Sequence, residues 1–122
     1  MGHVLYLDDD AQLGLLLEHA LGRLGHSVSL FASADAAFEG FRHSPQKFDL
    51  VLTDMSMPGM TGLEFALHVL AIAPQANVVI ATGCEDPNWA NHALASGVRS
   101  VIEKPISIDA MAGAVSRLLA SK

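Results

Sequence analysis

A chain of 122 residues with 51% apolar and 16% charged side chains can bury a core without disulfides, which excludes a disordered or low-complexity chain. Seven basic against thirteen acidic side chains give a net charge of −6, and no run of Lys or Arg stands anywhere, which excludes direct nucleic-acid binding. The uncharged stretch from Phe65 to Cys84 approaches the roughly 20 residues of a membrane span, but Pro74, Gln75 and Asn77 break its centre, so no membrane segment is expected. No basic-then-apolar leader opens the chain and Cys84 has no second cysteine to pair with, so the expected setting is cytoplasmic and reducing.

The elements alternate. An apolar run from His3 to Leu7 reads as the first strand and is followed by Asp8, Asp9 and Asp10, of which Asp10 is the expected cap of the first helix. That helix carries Leu13, Leu16, Leu17, Ala20, Leu21 and Leu24 at spacings of three and four, and Gly25 stops it. Ser27 to Phe31 is the second strand. Ser33 caps a second helix with Ala37, Phe38 and Phe41 turned inward. Phe48 to Thr53 is the third strand, with Asp54 directly after it. Thr61 and Glu64 form a capping box for the third helix. The fourth strand runs from Asn77 to Thr82, and Asp86-Pro87 opens the fourth helix, because proline is tolerated in a first helical turn. Arg99 to Glu103 is the fifth strand. Ser107 starts the fifth helix, whose apolar face is Ile108, Met111, Ala112, Val115, Leu118 and Leu119.

Strand and helix thus alternate along one domain, residues 1–122, with no linker or repeat. The expected fold is α/β, a parallel sheet with helices on both faces joined by right-handed crossovers. Unalternating apolar strands such as Leu50-Val51-Leu52 and Val78-Val79-Ile80 fit a sheet covered on both sides. Ligands of such sheets bind beyond the carboxyl ends of the strands. Those ends carry Asp8 and Asp9, then Asp54, Thr82 and Lys104.

Crowded carboxylates repel unless a cation lies among them. Magnesium suits such a group: it takes one or two carboxylates, keeps several waters and leaves sites for phosphate oxygens. A lysine and a threonine beside it can hold further oxygens of a transferring phosphoryl group, and a carboxylate such as Asp54 can accept that group as an acyl phosphate.

Over nearly its whole length the chain resembles the receiver domains of response regulators in two-component signalling. The matching pieces are Val4 to Asp9, Asp49 to Asp54 with Met57-Pro58-Gly59 and Gly62, Thr82-Gly83 and Lys104-Pro105. The resemblance implies a flavodoxin-like (CheY-like) sheet of strand order 2-1-3-4-5 with five helices. It implies that Asp54 is the phosphoacceptor, that Asp8, Asp9, Asp54 and the Ser56 carbonyl hold Mg2+, and that Thr82 and Lys104 contact the phosphoryl group. It further implies a cis Lys104-Pro105 peptide, and a histidine kinase or histidine phosphotransfer protein as the donor partner. The output partner is left open. Such a module is no enzyme in the usual sense, since it promotes only its own phosphorylation and dephosphorylation.

The chain departs from the family pattern at Val101, where many receivers carry a Tyr or Phe that rotates on activation. Thr61 replaces an acid before Gly62, and Ile106 replaces a Phe. Ser56 and Cys84 occupy positions that in the family modulate phosphoryl lifetime. Thr82-Gly83, Val98 and Val101 are similar to receivers at the C-terminal end of hybrid sensor kinases, so a receiver cut from such a protein is one alternative. A phosphatase using Asp54 is disfavoured because Ser56 stands where its second acid is needed. A pseudo-receiver that only binds partners is free to lose the acids, the threonine or the lysine, and this chain has them all. The six histidines show no metal-ligand spacing and are expected to be structural or surface groups. Trp89 is read equally well as packing or as a partner contact, and Met55, Met57 and Met60 as a flexible loop or a binding surface.

Overall fold

The computed structural model describes residues 2–57, 59–83, 87–104 and 107–120. Expectations that concern Pro58, Cys84, Asp86, Pro105 and Ile106, the cis peptide among them, lie outside the described residues.

The elements follow in the order β1 His3–Leu7, α1 Ala11–Arg23, β2 Ser27–Phe31, α2 Ala34–His43, a 3-10 turn Pro45–Lys47, β3 Leu50–Asp54, α3 Gly62–Ile72, β4 Val78–Thr82, α4 Pro87–Ala95, β5 Ser100–Glu103 and α5 Ile108–Ala120. The five strands form one parallel sheet ordered β2-β1-β3-β4-β5, as expected. Because neighbouring residues of a strand point to opposite faces, each strand feeds two cores. Val4, Tyr6, Leu50, Leu52, Val79, Ala81 and Ile102 meet Leu17 and Leu21 of α1 and Met111, Ala112, Val115 and Leu119 of α5. On the other face Leu5, Leu7, Val51, Val78 and Ile80 meet α2, α3 and α4 through Ala37, Phe41, Phe65, Val69 and Ala93. The chain leaves β1 for β2 on one side and returns to β3 on the other, so the strand order reverses between β1 and β3. Asp8, Asp9 and Asp54 stand at that crevice.

The caps read from the sequence are formed. Asp10 accepts from the Leu13 N–H at 3.1 Å, and Ser33 accepts from that of Ala36 at 3.2 Å. Thr61 and Glu64 make the reciprocal capping box at 3.1 and 2.9 Å. Ser107 accepts from the Ala110 N–H at 3.1 Å.

Three details differ from the sequence reading. The apolar face of α1 is narrower: Leu17 and Leu21 are buried, but Leu16 is 57% and Leu24 52% exposed. The helix lies close to β2 through Gly14, where a Cβ would stand 3.5 Å from Leu30, and this tilts the arc away from Leu16. Leu24 is already the C-cap, and Gly25 turns the chain at φ 91°. The third strand starts later than Phe48, because that ring stacks 6.1 Å from Phe41 and the Asp49 carboxylate accepts the His3 N–H at 2.8 Å. It also ends later, since Asp54 pairs with Ala81 and so belongs to the strand. The fourth and fifth strands each begin one residue after Asn77 and Arg99, a difference within the fraying of element ends.

Candidate phosphoryl and metal site

Each site residue is fixed by the end of a strand. The ladders run past the last strand residues: Asp8 N–H donates to the Phe31 carbonyl at 3.1 Å, Met55 N–H to that of Ala81 at 2.9 Å, and Lys104 N–H to that of Thr82 at 2.8 Å. Side chains of β1, β3, β4 and β5 are thereby brought to one rim. Asp54 and Thr82 are nearly enclosed there, 8% and 3% exposed, and Asp8 is 5% exposed, while Asp9 stands in solvent.

One carboxylate oxygen from each of Asp8, Asp9 and Asp54 lies within 4.8 Å of the other two. The Lys104 ammonium donates to Asp54 Oδ1 at 2.6 Å, a charge-assisted bond at the short end of its class. Three carboxylates therefore face a single ammonium among the described residues, an excess of negative charge that a divalent cation would balance. The donor set is all oxygen, which fits a hard ion such as magnesium and not a thiophilic one.

The sequence-predicted residues Asp8, Asp9, Asp54, Thr82 and Lys104 are thus brought together. Ser56 is exposed in the loop between β3 and α3, two residues past Asp54. Asp10 turns away to cap α1, as expected. The histidines stay apart from the site: His3 Nε2 shares a hydrogen bond with Ser29 Oγ at 2.7 Å, and the ring of His68 meets Phe38 edge-on at 5.9 Å. Val101 and Trp89 are half-buried against the core under α3 and α4, so packing accounts for both. Met57 and Met60, with Asp9, Ser33, Asp35 and Glu64, line an open cleft of about 430 Å3 next to the carboxylates.

Two residues that the sequence offered only as parts of matching motifs contribute to the site by contacts it did not display. Gly62 opens α3 with its N–H donating to the Met55 carbonyl at 2.9 Å, and a Cβ there would collide with the Asp54 carbonyl oxygen. Only glycine permits α3 to approach β3 so closely. Tyr6 donates its buried hydroxyl to Asp8 Oδ2 at 2.7 Å. Burial first, and then the bond to Asp8, push the phenol well above its ordinary value, so it stays protonated and a donor. Strand periodicity holds the signal: a residue two before Asp8 on a strand shares its face.

Residues 4–116 match the family described as the response regulator receiver domain. The C4-dicarboxylate transport transcriptional regulatory protein DctD of Rhizobium meliloti is 33% identical over 93% of this chain and 24% of its own length. The transcriptional regulatory protein FixJ of Bradyrhizobium diazoefficiens is 32% identical over 88% of the chain and 52% of its own. The chain therefore spans about a quarter to a half of these relatives. A receiver domain structure from Clostridium thermocellum superposes with a TM-score of 0.89 at 24% identity, covering 99% of this chain and 96% of that one. At that identity the likeness speaks for the fold.

Proposed function

Since the chain belongs to the response regulator receiver domains of two-component signalling, we propose that Asp54 accepts a phosphoryl group from the phosphohistidine of a histidine kinase or histidine phosphotransfer protein. The convergence of three carboxylates and one lysine on the rim carries this reading. Lys104 holds Asp54 Oδ1, so Oδ2 is the oxygen that attacks phosphorus. A P–O bond to Oδ2 forms as the P–N bond to the donor imidazole breaks; the imidazole nitrogen keeps the electron pair and takes a proton from solvent. Lys104 then shares its ammonium between the phosphoryl oxygens and Oδ1, now the carbonyl oxygen of the acyl phosphate, while the Thr82 hydroxyl, at the end of β4, binds a phosphoryl oxygen. Asp8, Asp9, Asp54 and the Ser56 carbonyl would hold Mg2+, which would supply charge neutralisation for the phosphoryl oxygens. The enclosed carboxylate and fixed ladder ends place these groups before reaction, so little reorganisation is needed.

The match over residues 4–116 supports one receiver unit along residues 1–122. Among the described residues no helix is long and apolar enough to cross a membrane. Together with the negative charge, this supports a cytoplasmic module that acts through protein partners and not through DNA.

Intact-mass measurement with acetyl phosphate and Mg2+ tests the reading. One phosphoryl group is expected on the wild-type chain, none without the metal, and none on Asp54→Asn. A wild-type chain that stays unmodified, or an Asp54→Asn chain that is modified to the same extent, overturns it.

A further inference from the structure

Tyr6 is the sole tyrosine of the chain and lies 1% exposed in the middle of the sheet. Every other described β1 residue after His3 is aliphatic up to Asp8, and a plain apolar side chain would fill this core position without a polar atom to satisfy. A buried phenol needs a partner, and here the partner is a carboxylate of the acidic rim. The hydroxyl donates to Asp8 Oδ2 at 2.7 Å, while Asp8 Oδ1 accepts the Asp10 N–H at 2.9 Å. Both oxygens are held, one from the core side and one from the loop side, so Asp8 cannot turn about its Cβ–Cγ bond without losing a bond.

We propose that Tyr6 is a positioning residue for Mg2+: through its hydroxyl it fixes the Asp8 carboxylate against Asp9 and Asp54, and so sets the affinity of the site for the ion. This rests on the reading of the carboxylates as a Mg2+ site. Groups that orient metal ligands from behind commonly change affinity by about 10- to 100-fold when removed. Tyr6→Phe deletes only the hydroxyl, whose surroundings include a cavity of about 220 Å3 between β1, β2 and α1, so nothing is forced to move.

The test is isothermal titration with Mg2+ alone, with no phosphodonor present, so that failure of phosphoryl transfer does not bear on it. Tyr6→Phe is expected to raise the Mg2+ Kd about tenfold. In an Asp8→Ala background the same substitution is expected to change nothing further, because its effect passes through the Asp8 side chain. A Kd within twofold of wild type overturns the inference, and so does an equal weakening in both backgrounds, which marks general damage to the core. A wild-type chain that binds no Mg2+ overturns the metal reading and this role with it. The wild-type protein gives a second readout if the variant folds poorly. With the single tyrosine labelled at Cζ, its resonance is expected to shift along the Mg2+ titration with the midpoint of binding and to stay fixed in Asp8→Ala. A wild-type resonance indifferent to the metal overturns the inference.

Discussion

The two ends of the sheet treat polar groups in opposite ways. At the amino end several polar side chains are answered by one partner each. His26 accepts the Gly2 N–H at Nδ1 and shares a bond with Ser116 at Nε2, 3.1 and 3.0 Å, tying the start of β1 to α5. Asp49 accepts the His3 N–H, and Arg99 donates to Asn77 Oδ1 at 3.1 Å. At the carboxyl end Asp8, Asp9 and Asp54 face one ammonium. One-to-one bonding stabilises a fold but leaves little for a ligand to do. An unbalanced cluster is held by the rest of the fold, and in the proposed function that excess charge is what a cation answers.

Removing the Lys104 ammonium from the carboxyl end breaks this contrast most strongly. Lys104→Met is expected to slow phosphorylation by acetyl phosphate by about 10²- to 10³-fold, the usual loss for a preorganised group on developing charge. An intact-mass time course at saturating Mg2+ checks it, and a rate within threefold of wild type would place the needed charge elsewhere.

Gly62→Ala acts on the same end through packing. Its Cβ would collide with the Asp54 carbonyl oxygen, which is backbone and cannot yield cheaply. A loss of about 3 kcal/mol, at the upper end of overpacking costs, is expected from denaturant midpoints. If α3 can slide, the loss will be well under 1 kcal/mol.

The smallest effect belongs to the amino end. Burial first, and then the N-terminal amine, hold the His26 imidazole below its ordinary 6.5. The folded state therefore keeps His26 neutral where the unfolded chain has begun to protonate it. The stability it contributes is complete above pH 6.5 and is lost as pH falls through the lower folded value. His26→Gln is expected to flatten the decline of the thermal midpoint on acidification below pH 6.5. An unchanged slope would leave the decline to other groups.

Much of this was legible in the sequence, because the rules that apply are local. Strand-helix alternation, the capping residues Asp10, Ser33 and Thr61, and the polar residues after each strand all follow from short-range patterns, and the parallel sheet turns the last of these into neighbours. What was hidden depends on which way an element faces. Spacings of three and four include Leu16 in the core stripe of α1 as readily as Leu17, and only the approach at Gly14 chooses between them. Tyr6 passes for an apolar strand residue until its hydroxyl is seen against Asp8. Gly62 is visible as a motif letter, yet its reason is a contact with a carbonyl that the sequence does not display.

The main chain at Asp54 is clamped. Thr53 Oγ1 donates to its carbonyl oxygen at 3.0 Å, Gly62 lies against that same oxygen, and the strand pairs on into Ala81. A main chain anchored in this way cannot shift bodily when the side-chain charge changes. If Asp54 is phosphorylated as proposed, the message must leave through movable neighbours, above all the long arm of Lys104 and the hydroxyl of Thr82, so the anvil stays still and the tools around it move.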